Sequence, residues 1–180
     1  FAAAGPSAGW ATFDTYGGRP QQDERWLRAD AASLTLDLVD NLKQVAPFII
    51  HGTADNNVPA TQALTMLEAL TRAGSNVELH MQGGAGHWWG GRCVDWPDLF
   101  DHFRRREIAE SPDTVEFITV DPAVDAEHHW MYLLEQVEYG KSSRMKASFQ
   151  DDRIEVETDN VRLFYLGREA ATVAINGQEM

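Results

Sequence analysis

The sequence predicts an α/β piece over residues 1–110, followed by a small β-rich piece over residues 111–180. Between residues 45 and 82, an apolar β-branched run, a helical pattern and an alternating run follow one another. This is the order of a parallel β-α-β unit. After residue 111, short β-rich segments recur between turn residues, which is typical of a small β-sandwich or a related antiparallel module. A chain of 180 residues is long enough to bury a core in such an arrangement.

The first piece begins with a short apolar run, FAAAG, which predicts a buried strand or its end. Glycines and Pro20 break the segment that follows, so it is expected to be a loop, and residues 32–43 then carry leucines at mostly helical spacing. The remaining expected elements are a buried strand ending at Gly52, a helix between Pro59 and Gly74, a strand over 76–82, a glycine-rich loop over 83–91 and a helix beyond Pro97.

The second piece contains six segments that favour strands: 115–120, 129–137, 144–150, 153–158, 161–166 and 172–176. The pairs Asp-Asp at 151–152, Asp-Asn at 159–160 and Asn-Gly at 176–177 indicate hairpin turns. This piece has 14 acidic and 6 basic residues, against 14 and 9 in the first 110 residues. An evenly acidic surface of this kind is typical of a solvated face.

Composition excludes several classes of partner. The formal net charge of −13 disfavours nucleic acid and anionic membranes, which basic patches usually bind, and the apolar runs are too short to cross a bilayer. The single Cys93 cannot form an intrachain disulfide or a zinc site of several thiolates. We expect it to be a small residue packed in the core. No metal or cofactor is expected. The localisation is left open between cytoplasmic and periplasmic or secreted, because the lone thiol of Cys93 fits either.

Two residues with catalytic potential follow the two predicted parallel strands. Asp55 lies in the loop after the strand that ends at Gly52, and His87 lies in the loop after the strand over 76–82. In open parallel sheets, catalytic and ligand-binding residues lie beyond the carboxyl ends of the strands, so we expect these two loops to meet. An aspartate that orients a histidine through Nδ1–H, leaving Nε2 as the base, forms two thirds of a hydrolytic triad.

The motifs HGTADNNVP at 51–59 and GAGHWW at 84–89 resemble the C-terminal part of the catalytic domain in the prolyl oligopeptidase family of serine α/β-hydrolases. The resemblance covers about residues 1–110 and implies the C-terminal half of a doubly wound parallel sheet. It also implies that Asp55 and His87 belong to a catalytic triad and that Asn57 helps to hold a substrate carbonyl. The implied substrate is a peptide or an ester, and we expect Trp88 and Trp89, beside His87, to line a pocket.

The sequence alone leaves the identity of the nucleophilic serine open. GPSAG at 5–9 matches the G-x-S-x-G pattern of a nucleophile elbow, with Ser7 at its centre. Only four residues precede Gly5, however, and Gly17, Gly18 and Pro20 interrupt any helix after it. We therefore favour a chance match, with the true serine in a missing N-terminal part of the same protein that would also be this chain's partner.

A second functional class also fits the sequence. The chain could be a non-catalytic binding module, in which the acidic β-rich piece docks a protein or a glycan and the α/β piece serves as scaffold. Aromatic side chains grouped on one exposed sheet face would favour this alternative.

Overall fold

The computed structural model describes residues 2–12, 31–108 and 110–180, which form parts of two compact units. Unit 1 contains the described residues 2–12 and 34–108, and unit 2 contains residues 31–33 and 110–180. The expected loop before residue 26 falls largely on residues 13–25, outside the described ranges. Among the described residues, no helix has the length and apolar character needed to span a bilayer.

Unit 1 is built on a three-stranded parallel sheet. Its strands are β1 (Ala3–Ala4), β2 (Ala46–Gly52) and β3 (Glu78–Gln82), in the order β1-β2-β3. Ala3 pairs with Ala46 on one side of β2, and Ile50 pairs with His80 on the other. The predicted parallel pairing of the strands before Asp55 and His87 is therefore confirmed.

Two helices pack against opposite faces of β2, which explains why every residue of this strand is buried. Helix α1 (Thr61–Ala73) places Ala63 and Leu70 against Ile49, while helix α2 (Pro97–Arg104) places Leu99 against Phe48 and Ile50. Gly74 caps the C-terminal end of helix α1, and its φ of +86° is the left-handed conformation that glycine adopts without steric cost. The predicted helices after Pro59 and Pro97 are confirmed.

The helix expected over residues 32–43 is wrong. This segment contains two short 3₁₀ turns, Ala31–Ser33 and Val39–Leu42, separated by further turns. Thr35, Asp37, Val39, Asp40 and Asn41 disfavour a helix, because β-branched side chains lose rotamer freedom and Asp and Asn compete for backbone hydrogen bonds. Val39 and Leu42 nevertheless pack against the cluster formed by α1 and β2, which accounts for the apolar spacing.

Unit 2 contains eight strands among the described residues: β4 (Thr114–Thr119), β5 (Glu127–His128), β6 (Met131–Gln136), β7 (Ser143–Gln150), β8 (Arg153–Asp159), β9 (Val161–Leu166), β10 (Thr172–Ile175) and β11 (Gln178–Glu179). They form a five-stranded sheet, ordered β11-β10-β8-β7-β4, and a three-stranded sheet, ordered β5-β6-β9. Buried side chains from both sheets share one core, with Phe117 and Met145 from the first and Met131 and Leu133 from the second.

Two of the three predicted hairpin turns are confirmed. Asp151 and Asp152 have φ of 51° and 61° between β7 and β8, and Asn176 and Gly177 have φ of 50° and 80° between β10 and β11. Positive φ at both central positions is the geometry of a tight hairpin turn.

The pair at 159–160 does not form a hairpin, because the chain passes there from β8 in one sheet to β9 in the other. The Asn160 side chain instead accepts from the N–H of Glu138 at 2.7 Å and donates to the Glu138 carbonyl at 3.0 Å. Strands β8 and β10 also pair in parallel, so the sheets of unit 2 are not wholly antiparallel as expected.

Candidate active site

The loops that follow β2 and β3 are joined by backbone hydrogen bonds. The N–H of Thr53 donates to the Gln82 carbonyl at 2.9 Å, and the N–H of Ala54 donates to the Ala85 carbonyl at 2.8 Å. The N–H of Gly84 donates to the Thr53 hydroxyl, also at 2.8 Å. The parallel pairing of the two strands therefore continues into the loops that carry Asp55 and His87.

Gly52 allows this close approach. A Cβ atom at this position would lie 2.3 Å from the Gly86 carbonyl oxygen and 2.4 Å from the Ala85 carbonyl oxygen, far inside contact distance. Both of these atoms belong to the backbone of the loop that carries His87, so no side-chain rotation can make room. Only glycine fits at the end of β2 while the loops stay this close.

The Asp55 carboxylate is fully buried and has three hydrogen-bond donors. Its Oδ1 accepts from the backbone N–H groups of Asn57 and Val58, each at 2.9 Å, and its Oδ2 accepts from Nδ1 of His87 at 2.9 Å. Burial by itself raises the pKa of the carboxyl. The hydrogen bonds from Val58, His87 and Asn57, together with the His87 charge, outweigh burial and hold the Asp55 pKa below its ordinary value.

His87 is partly open to solvent, with 39% of its side chain exposed. A carboxylate can only accept a hydrogen bond, so the contact with Asp55 places the proton on Nδ1. In the neutral ring, Nε2 is then the nitrogen that can take a proton. The structure thus brings together the two residues that the sequence predicts to meet, in the orientation that a general base requires.

Ser7 is not on a nucleophile elbow. Its segment extends β1 alongside β2, with the N–H of Ile50 donating to Pro6 and the N–H of Ala8 donating to Ile50, both at 2.9 Å. The Ser7 hydroxyl donates to the Cys93 carbonyl at 2.5 Å, and residues 8–12 form no helix. An elbow instead places its serine on a sharp turn that leads straight into a helix.

A sequence model of the prolyl oligopeptidase family matches residues 6–108, more than half of the chain. The chain belongs to this family. The family resemblance drawn from the Asp55 and His87 motifs is therefore confirmed, and membership supports an α/β-hydrolase fold and a serine-hydrolase type of function. Among curated proteins, none matches the chain.

Two solved esterases are similar to this prolyl oligopeptidase family chain over part of its length. Esterase PE8 is 23% identical with a TM-score of 0.29, covering 44% of this chain and 33% of the esterase. Esterase Est2 from the planctomycete Thermogutta terrifontis is 25% identical with a TM-score of 0.38, covering 57% of this chain and 41% of the esterase. The chain thus spans about a third of the length of the first esterase and about two fifths of the second.

The other predicted site residues of this family member lie close to the Asp55–His87 pair in sequence but differ in exposure. Asn57 is exposed and contributes its backbone N–H to Asp55. Trp88, next to His87, has 68% of its surface exposed. Trp89 is half-buried and packs against the cluster of Phe48, Ile50 and Leu99. Their roles in substrate binding stay predictions.

His51 was missed by sequence reasoning. It is the penultimate residue of β2, its side chain is buried, and its Nε2 lies 2.9 Å from the Val58 carbonyl oxygen and 3.4 Å from Oδ2 of Asp55. A polar residue inside an otherwise apolar buried strand, four positions before Asp55, was the available signal. Within the described ranges, no group of three or more His, Cys, Asp or Glu side chains is placed to hold a metal ion.

Proposed function

We propose that Asp55 and His87 are the carboxylate and the general acid–base of a serine-hydrolase triad. The observation that carries this proposal is the 2.9 Å hydrogen bond between a buried Asp55 oxygen and Nδ1 of a partly exposed His87. Burial strengthens this contact and keeps water from the carboxylate, while exposure leaves the imidazole accessible to a substrate.

In the proposed reaction, Nε2 of His87 takes the proton of a serine hydroxyl as the serine oxygen attacks the carbonyl carbon of the substrate. The Asp55 charge stabilises the imidazolium that forms. The imidazolium then protonates the leaving amine or alcohol, and an acyl-serine remains. A water molecule then attacks the acyl carbon as the same Nε2 takes its proton. The bond to the serine oxygen breaks, the carboxylic acid leaves, and the imidazolium returns its proton to the serine oxygen.

The substrate in this proposal is a peptide or an ester. The exposed Asn57 lies two residues after Asp55, where its side-chain amide would donate a hydrogen bond to the substrate carbonyl. The exposed indole of Trp88 would form a wall of the pocket beside the reacting group, with Trp89 supporting it from the core.

The serine, in this proposal, comes from a part of the protein outside residues 1–180, which would be the main partner of this chain. Three observations support it. The Ser7 hydroxyl already donates to Cys93, and β1 lies at the edge of the described three-stranded sheet. A cavity of about 490 Å³ beside β1, with Trp10, Ile49 and Met66 in its wall, offers apolar surface for the additional elements.

Labelling with a fluorophosphonate tests this assignment, because the reagent esterifies only an activated serine. We expect intact-mass spectrometry of the 180-residue chain to show no adduct. An adduct at Ser7 that disappears in His87→Ala would instead place the nucleophile in this chain. In the longer protein, we expect one labelled serine and a decrease of about 10⁴-fold in kcat for Asp55→Asn, which puts the proton on the wrong nitrogen of His87. Unchanged kcat in Asp55→Asn would contradict the proposed dyad.

One observation favours a second, binding function for unit 2. Tyr132 on β6 pairs directly with Tyr165 on β9, with ring centroids 5.5 Å apart, and the exposed Leu134 and Leu163 lie on the same two strands. Aromatic side chains grouped in this way are typical of protein interfaces. Because the carboxylate of Glu127 accepts a hydrogen bond from the Tyr132 hydroxyl at 3.2 Å and so lies beside this pair, we propose that this Tyr132–Tyr165 face docks a basic polypeptide segment.

Titration with a synthetic Arg-Leu repeat peptide, followed by amide NMR, tests the docking proposal. We expect shifts confined to β6 and β9, which a double Tyr132→Ser, Tyr165→Ser variant loses. Tyr139→Ser serves as the control, since Tyr139 is exposed but lies outside these strands. Shifts with a neutral oligosaccharide and none with the peptide would instead favour a glycan-binding face, and shifts with neither would contradict a docking role.

A further inference from the structure

His51 contacts the same turn that holds the Asp55 carboxylate. Its side chain is 1% exposed, and its Nε2 lies 2.9 Å from the carbonyl oxygen of Val58. The N–H of Val58 in turn donates to Oδ1 of Asp55 at 2.9 Å. The two polar groups of Val58 therefore connect the imidazole of His51 to the carboxylate of Asp55.

The neighbours of Nε2 determine the tautomer of His51. The Val58 carbonyl and Oδ2 of Asp55, the latter 3.4 Å away, are both acceptors, so Nε2 must carry a hydrogen. At these distances Nε2–H donates its hydrogen bond mainly to the Val58 carbonyl oxygen, and the partial positive charge on the same hydrogen also lies near Oδ2 of Asp55. The same Oδ2 accepts the Nδ1–H of His87.

We propose that His51 is a positioning residue for the Asp55–His87 pair. By fixing the Val58 carbonyl, its Nε2–H holds the turn over residues 55–58, and by its proximity to Oδ2 it keeps that oxygen directed at His87. This inference rests on the function proposed for Asp55 and His87, because His51 acts only through them.

A purely structural role would also make His51 important, so the test has to separate the two. Val58 is buried, so a substitution that removes the Nε2–H donor of His51 would take away the hydrogen bond to a buried Val58 carbonyl. A loss of stability alone therefore does not distinguish packing from positioning. The state of the Nδ1 proton of His87 does, because it reports directly on the contact between His87 and Asp55.

The experiment uses the 180-residue chain with ¹⁵N-labelled histidine and two variants of residue 51. His51→Gln keeps a donor, since the Gln amide nitrogen can lie near the place of Nε2, and His51→Met keeps comparable bulk without a donor. We expect a far-downfield Nδ1–H resonance of His87 in the wild-type chain and in His51→Gln, and its loss in His51→Met through exchange with water. An unchanged resonance in His51→Met would overturn the proposal.

If His51→Met does not fold, NMR of the wild-type chain still tests the proposal. The proposal requires the Nε2–H tautomer of His51 and a hydrogen-bond scalar coupling between its Nε2 and the Val58 carbonyl carbon. A His51 protonated only on Nδ1 would overturn it. A wild-type chain that lacks the downfield His87 resonance, while His51 shows the expected tautomer and coupling, would overturn the Asp55–His87 dyad and the proposed function instead.

Discussion

Replacing Gly52 by alanine should separate His87 from Asp55 without altering either residue. The new Cβ would lie 2.3 Å from the Gly86 oxygen and 2.4 Å from the Ala85 oxygen, whereas ordinary contacts begin at 3.4 Å. The loop that carries His87 must therefore move by about 1 Å, which strains the hydrogen bond from Ala54 to Ala85. Overpacking and the weakened hydrogen bond together should lower the free energy of unfolding by about 2 kcal/mol.

A displacement of about 1 Å in a catalytic group can cost about 10²-fold in rate. Because activity requires the longer protein in our proposal, the first assay is NMR of the 180-residue chain. We expect Gly52→Ala to weaken or remove the downfield Nδ1–H resonance of His87 and to lower the melting temperature of unit 1.

Gly83→Ala is the matched control for this experiment. Gly83 lies in the same pair of loops, but a Cβ there would meet no atom within 4 Å, so we expect the wild-type resonance and stability. If Gly52→Ala kept both the resonance and the melting temperature of Gly83→Ala, the idea that close backbone approach positions His87 would be refuted.

Three further predictions concern pH and turn geometry. The pKa of Asp55 is lower in the folded chain than its ordinary value of 3.8, so the charged carboxylate stabilises the fold at pH values above 3.8. This stabilisation is lost as the pH falls from 3.8 through the lowered pKa of the folded state. Thermal melts of Asp55→Asn between about pH 5 and 2 should lack this acid-dependent loss. Burial and the neighbouring His129 lower the pKa of His128, so the unfolded chain binds a proton more readily. The stability of unit 2 should then decrease as the pH falls through the ordinary value of 6.5, and His128→Gln should show a smaller decrease in urea titrations. Asn160→Ala should destabilise unit 2 by about 3 kcal/mol, through a positive φ and the hydrogen bonds to Glu138, whereas Asn160→Gly should recover about 1 kcal/mol of this in the same titrations, because glycine tolerates φ of 55°.

Local patterns predicted most of the fold. Apolar runs bounded by Gly and Pro located β2, α1 and β3, and turn pairs located the hairpins at 151–152 and 176–177. The failures depended on non-local packing. The segment over residues 32–43 has apolar residues at helical spacing because they contact α1, although its Asp, Asn and β-branched residues favour turns. The parallel pairing of β10 with β8 has no signal in the turn residues between them.

The candidate site was partly predictable for the same reason. The spacing of Asp55 and His87 after two neighbouring strands predicts that they meet, and the 2.9 Å hydrogen bond shows that they do. His51 and Gly52 were not predicted, since both lie inside the strand and act through three-dimensional proximity: one by a donor facing Val58, the other by the lack of a Cβ. Ser7 illustrates the opposite problem, a short motif that matches by chance: GPSAG fits the elbow pattern, but it lies in an extended segment beside β2.

The hydrogen bonds that join the two loops have a consequence for engineering the proposed hydrolase. They come almost entirely from the backbone, from the Thr53 hydroxyl and from Asp55 itself. Within the described ranges, the side chains of Asn56 and Trp88 are exposed and take no part in them. In the function proposed above, these two positions can be randomised together in a library of the longer protein to select new substrate preferences, while the contact between Asp55 and His87 is inherited unchanged.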